Sequence, residues 1–121
     1  MQERPKLSGV RRLVLAFLNS WKRFKAPFKA EAAVRQEVAL AVVLIPLGVY
    51  LGQTGIERAL LVSTVLLVLI VELLNSGIET VVDRIGLERH ELSGLAKDVG
   101  SSAVLLSFAL LGVIWGFILL G

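Results

Sequence analysis

Between Leu7 and Phe28, the residues Leu7, Val10, Val14, Phe17, Leu18, Trp21, Phe24 and Phe28 return at three- and four-residue steps. Arg11, Arg12, Lys22 and Lys25 stand among the positions between them. A 3.6-residue period gathers the first set on one face and leaves Arg11, Arg12 and Lys22 off it, so the pattern predicts an amphipathic helix within 1–29. Trp and Phe set against Lys and Arg suit a helix that lies in a membrane interface. A soluble helix docked on a core would carry the same stripe, but the rest of the chain offers no soluble core.

Three apolar segments follow, from about Val38 to Leu51, Ala59 to Val82, and Val99 to Leu120. The second and third have the ~20 residues a bilayer crossing needs. The first reaches that length only if the mixed stretch EAAVRQE (31–37) forms its opening turns. The expected transmembrane helices are 30–51, 56–84 and 95–120, all within a single domain, 1–121. GQTG (52–55) is a turn signal that makes the first two spans an antiparallel pair. IGLERHELSGLAKD (85–98) is a longer polar connection, with Ser93 as a plausible helix cap. Gly48–Gly52 and Gly112–Gly116 both have the small-xxx-small spacing of close helix packing, a weak signal in any apolar helix.

Composition fixes the class. The chain has 121 residues, is 55% hydrophobic and contains no cysteine, and its mean hydropathy is +0.77. Disulfides and thiolate metal sites are excluded, and an all-α membrane protein is expected. Net charge is only +3, yet nine of the thirteen Lys and Arg lie within residues 1–35. Beside apolar spans, such a segment meets anionic lipid headgroups rather than nucleic acid. It has no uninterrupted apolar stretch ahead of a small-residue cleavage site, so no signal peptide is expected. Arg84, Arg89 and Lys97 of the long loop join the basic N-terminus on the cytoplasmic side, while the short turn has only Arg58. The positive-inside rule then places the N-terminus in the cytoplasm and the C-terminus outside.

The second span ends in VELLNSGIETVVDR (71–84), where polar groups enter an apolar helix. With Glu72 as origin, Asn75, Glu79 and Asp83 fall at roughly 300°, 340° and 20° around the helix. All four face one way, and about 16 Å of axial rise separates Glu72 from Asp83. One asparagine is readily explained as a hydrogen-bonding link between helices. Three carboxylates on one stripe, without a matching cationic stripe, favour function, because ionised groups in a span are costly.

The cytoplasmic edge adds Glu31 and Arg35 at the first span, and Lys97, Asp98 and Ser101 at the third. Carboxylates at an aqueous edge suit Mg²⁺, which is usually held by one or two of them plus substrate phosphates. Lysine beside them suits phosphate, so acids, metal and lysine together are equipment for phosphoryl transfer. Ordinary interfacial anchoring explains Lys97–Asp98 equally well, and His90 alone in a polar loop carries no signal. The nucleotide-binding and kinase signatures of soluble enzymes are absent.

At these residues the chain resembles the small bacterial diacylglycerol kinases, a family of integral membrane enzymes. The stretches that carry the likeness are EAAVRQE (31–37), VELLNSGIETVVDRIG (71–86) and HELSGLAKDVGSSAV (90–104), with NSWK (19–22) closing the amphipathic start. The resemblance implies a homotrimer in the bacterial inner membrane, with a surface helix, three spans per subunit and sites shared between neighbouring subunits. It implies transfer of the ATP γ-phosphate to diacylglycerol, giving phosphatidic acid, with Mg²⁺ as cofactor.

By motif match, Glu72 is the general base, and Glu31 and Glu79 hold the metal. Asn19, Glu31, Glu79, Glu88, Arg89, His90, Lys97 and Asp98 border the nucleotide. Arg12, Ser20, Trp21, Gln36, Glu72 and Ser101 border the lipid, and Asn75 and Asp83 support the site. Ala30, Leu95 and Asn19 depart from the residues frequent in the family, namely Asn, Arg and Tyr. Three rival readings stand beside this one: an undecaprenol kinase of the same family, a small channel lined by Glu72 and Asn75, and a scaffold subunit. The channel needs no nucleotide, and in the scaffold the acidic stripe would tolerate substitution.

Overall fold

The computed structural model describes residues 9–86 and 90–121, all but the side chain of Phe28. Four helices follow one another: α1 (Gly9–Ala30), α2 (Ala32–Leu51), α3 (Gly55–Ile85) and α4 (Glu91–Leu120). α2, α3 and α4 are each long and apolar enough to cross a membrane. Even the shortest, α2 with 20 residues, extends about 30 Å, the thickness of a hydrocarbon core. α1 is amphipathic, and its apolar residues Val10, Leu13, Phe17 and Trp21 are exposed in the single chain, as a helix lying on lipid requires. The protein is thus an all-α membrane protein with an amphipathic N-terminal helix ahead of three spans.

Each junction has a local cause. Between α1 and α2 only Glu31 leaves helical geometry, with φ −112° and ψ 116°. Arg35 Nη1 donates to the Lys29 carbonyl at 2.8 Å, which satisfies one of the end carbonyls of α1. α2 stops at Gly52, where Arg58 Nε donates to the Val49 carbonyl at 3.0 Å. A Cβ on Gly52 would collide with the Arg58 side chain and backbone. The basic residue of the short turn is therefore spent on closing α2. α3 starts on Thr54, whose hydroxyl accepts from Glu57 N–H at 3.1 Å, while Glu57 accepts from Gln53 N–H. This is a variant of the reciprocal capping box.

α4 begins at Glu91, four residues before the start expected from hydropathy. Its cap is His90 rather than Ser93: the imidazole Nδ1 accepts from Leu92 N–H at 3.1 Å. An exposed polar first turn extends the helix below its apolar stretch, and hydropathy alone cannot register it.

α3 is the middle helix, packed on α2 and α4, while α1 touches α2. Away from the acidic stretch, Ala41, Leu61, Val65 and Trp115 form the core. Trp115 Nε1 donates to both the Leu61 carbonyl and the Thr64 hydroxyl, each at 3.1 Å. The two small-residue pairs divide. Gly48 is a true close approach, since a Cβ there would stand 3.1 Å from Leu61 Cβ and 3.5 Å from Trp115 Cζ2. Gly52 serves the turn instead. Gly112 and Gly116 have open space around them and line a shallow groove with Phe117 and Leu120.

Candidate active site

The acidic stripe of α3 lies against its neighbours at one end and opens to the surface at the other. Glu72, Asn75 and Ser76 are buried, Glu79 is half-buried and Asp83 is exposed. Ser76, four residues further along α3, lies within interaction range of the Glu72 carboxylate. One turn further along, Asn75 Nδ2 donates to Glu79 Oε1 over a long 3.4 Å. Asn75 Oδ1 is buried with no hydrogen-bond partner. Beyond Glu79, Lys97 of α4 reaches across to Asp83, Nζ to Oδ1 2.8 Å, with both side chains nearly half exposed. Glu79 lies within electrostatic reach of that ammonium group.

Two further carboxylates join from outside α3. Glu31, at the break between α1 and α2, makes no capping hydrogen bond with its side chain, although it occupies the N-cap position of α2. Its charge and that of Glu79 both act on Glu72. Glu37, one residue beyond Gln36 on α2, also interacts with Glu72, and its buried Oε2 has no hydrogen-bond partner. Beside this group a cleft of about 780 Å³ separates α1 from α3. Ser20, Arg23, Phe24 and Glu31 border one side, and Ser76 and Thr80 the other.

The structure therefore brings together Glu31, Glu72, Asn75 and Glu79, with Asp83 and Lys97 beyond them. Of the residues expected to border the lipid, Ser20 lines the cleft with Glu31. Trp21 stacks on Phe24 with ring centroids 6.3 Å apart and stays largely exposed. Arg12, Asn19, Gln36, Asp98 and Ser101 all lie on the exposed surface of the single chain. His90 is exposed and uses Nδ1 for capping. Glu88 and Arg89 lie outside the described residues.

Two residues of this site are missing from the sequence reading. Glu37 closes the EAAVRQE stretch, but its meeting with Glu72 depends on how α2 packs on α3. Gly100 of α4 is buried, and a Cβ there would collide with Asn75 Oδ1. Neither relationship leaves a mark in local spacing.

Every potential ligand here is an oxygen, the donor that Mg²⁺ prefers. Among the described residues no three acidic or histidine side chains gather closely enough to enclose a cation by themselves. Mg²⁺ does not need such a cage, since it retains waters and takes one or two carboxylates together with phosphate oxygens. Glu31, whose side chain makes no capping hydrogen bond, and Glu79 both lie near Glu72 and offer carboxylates of that kind.

Comparison with known proteins agrees with this architecture. Residues 18–119 match the profile of the family described as prokaryotic diacylglycerol kinase. The chain is 52% identical over 114 residues to a diacylglycerol kinase of Haemophilus influenzae, covering 94% of this chain and 97% of that protein. A diacylglycerol kinase of Pseudomonas aeruginosa is 50% identical over 114 residues, covering 94% and 93%. One of Escherichia coli is 46% identical over 112 residues, covering 93% and 92%. The chain belongs to the prokaryotic diacylglycerol kinase family.

Proposed function

We propose that this chain is an ATP-dependent diacylglycerol kinase of the bacterial inner membrane, releasing phosphatidic acid and ADP. The observation that carries the reading is the acidic row of α3, buried at Glu72 and open at Asp83. A lipid hydroxyl arrives within the membrane and ATP arrives from water, so a site joining them must span that change of depth.

In the reaction, the diacylglycerol hydroxyl oxygen forms a bond to the γ-phosphorus. The bond from that phosphorus to the β–γ bridging oxygen breaks, and ADP departs. Glu72 takes the hydroxyl proton; it is buried, with Ser76 beside it on the same helix. Glu31 and Glu79 hold Mg²⁺, which when bound draws charge from the phosphates and aligns them. Asn75 orients Glu79 through its amide. Lys97, partnered by Asp83, supplies a positive charge for phosphate oxygens, with Asn19, Glu88, Arg89, His90 and Asp98 around the nucleotide.

Arg12, Ser20, Trp21, Gln36 and Ser101 border the lipid. Several of these residues are exposed on the single chain, which supports a homotrimer whose neighbouring subunits complete each site. Exposed Leu105, Leu106 and Phe117 on α4 are suited to lipid or to such neighbours. The basic N-terminal segment supports a cytoplasmic N-terminus, and three spans then put the C-terminus outside.

The test is conversion of diacylglycerol to phosphatidic acid by the purified chain, with and without Mg²⁺, run in parallel with undecaprenol. Mg²⁺-dependent phosphorylation of diacylglycerol in preference to undecaprenol is expected. Preference for undecaprenol would overturn the substrate, and no transfer to either lipid would overturn the enzyme.

A further inference from the structure

α4 approaches α3 closely where Gly100 faces Asn75. Both residues are buried, and a Cβ at position 100 would collide with Asn75 Oδ1. The same amide donates through Nδ2 to Glu79 Oε1, whereas Oδ1 has no hydrogen-bond partner. Hydrogen bonding at Oδ1 therefore does not set the direction of the amide. The bare backbone of α4 at Gly100 leaves the space that Oδ1 occupies, and Nδ2 is then turned along α3 to Glu79. Glycine is otherwise an unfavourable choice within a helix, because alanine is the better helix former.

We propose that Gly100 is a positioning residue for phosphoryl transfer: the space it leaves on α4 holds Asn75 in the rotamer from which Nδ2 orients the Glu79 carboxylate. This rests on the reading of Glu79 as a ligand of the metal–nucleotide complex. A methyl group at position 100 displaces the amide, and Glu79 loses the donor that fixes its plane. Partners that orient a metal-binding carboxylate typically contribute 10–100-fold in metal affinity or activity. The loss is felt in nucleotide binding, because Glu79 serves the nucleotide rather than the lipid.

The experiment is a double-mutant cycle on the purified full-length chain, comparing the parent, Gly100→Ala, Asn75→Ala and the pair combined. Calorimetry measures binding of Mg²⁺ with a non-hydrolysable ATP analogue, and turnover is followed against Mg²⁺ and against diacylglycerol. Gly100→Ala should weaken analogue binding roughly 10–100-fold and raise the Mg²⁺ requirement, with the KM for diacylglycerol little changed. In the Asn75→Ala background, where no amide occupies that space, Gly100→Ala should add no further loss. That background also relieves the collision, so the double variant folds even if Gly100→Ala alone assembles poorly.

Parental binding by Gly100→Ala overturns the proposal. So does a loss that recurs undiminished without the Asn75 amide, or one that falls on the lipid KM instead. Failure of the underlying reading is distinguishable: Glu79→Gln would then bind the analogue as the parent does, whatever Gly100→Ala shows.

Discussion

Lys97 on α4 reaches Asp83 on α3 with 2.8 Å between Nζ and Oδ1, closing the exposed end of the acidic row. The side chains are 45% and 48% exposed, so solvent screens the pair and its contribution to stability is small. Its value is positional, since it holds an ammonium group within electrostatic reach of Glu79.

Lys97→Ala is expected to raise the KM for ATP about tenfold or more, the scale of one lost charge-assisted hydrogen bond. Asp83→Asn should change the thermal midpoint little, because the pair is exposed. Steady-state kinetics against ATP and a thermal-inactivation series check both. An Asp83→Asn variant that inactivates as readily as a core variant would make the pair a structural tie.

Trp115 offers the core comparison. Trp115→Phe keeps most of the buried ring area but removes the donor shared by the Leu61 carbonyl and the Thr64 hydroxyl. The expected loss is about 1–2 kcal/mol, read as an earlier midpoint on denaturation in mixed micelles. Turnover at low temperature should remain close to parental, since Leu61 lies eleven residues, about 16 Å of helix, from Glu72. Unchanged stability would show that the indole N–H contributes nothing to packing.

The absence of native cysteine makes topology directly measurable. Single cysteines at Lys6 and Arg89 should label from the cytoplasm, and those at Gln53 and Gly121 from outside. Labelling of Gln53 and Arg89 from the same side would contradict three spans with this orientation.

Features that depend on one helix were legible in the sequence. The amphipathic stripe of α1 and the shared direction of Glu72, Asn75, Glu79 and Asp83 follow from a 3.6-residue period, and the three spans from the length of their apolar runs. Relationships between helices were not. Gly100 matters because of where α4 crosses Asn75, and Glu37 because α2 brings it to Glu72. Gly48 and Gly52 have the same spacing signal, yet one faces Trp115 and the other Arg58. The start of α4 was missed because His90 caps a polar turn that hydropathy assigns to the loop.

Metal dependence separates ligands from bystanders. Glu31→Gln and Glu79→Gln should each abolish Mg²⁺-dependent ATP use while leaving the assembled protein folded, since Mg²⁺ needs carboxylate oxygens beside the phosphates. Activity against Mg²⁺ concentration, with circular dichroism for folding, checks this. Near-parental activity in either variant removes that residue from the metal site.

The division of labour along α3 is decided by measuring turnover and Mg-ATP binding together in Glu72→Gln and Glu79→Gln. Glu72 lies seven residues, about 10 Å of helix, from Glu79 and is buried, whereas Glu79 is half-buried. Glu72→Gln is expected to lose roughly 10²–10⁴-fold in transfer to diacylglycerol, the worth of general-base help, while binding Mg-ATP as the parent does. Glu79→Gln is expected to lose both. If Glu72→Gln binds Mg-ATP as poorly as Glu79→Gln, Glu72 is a metal ligand and not the base.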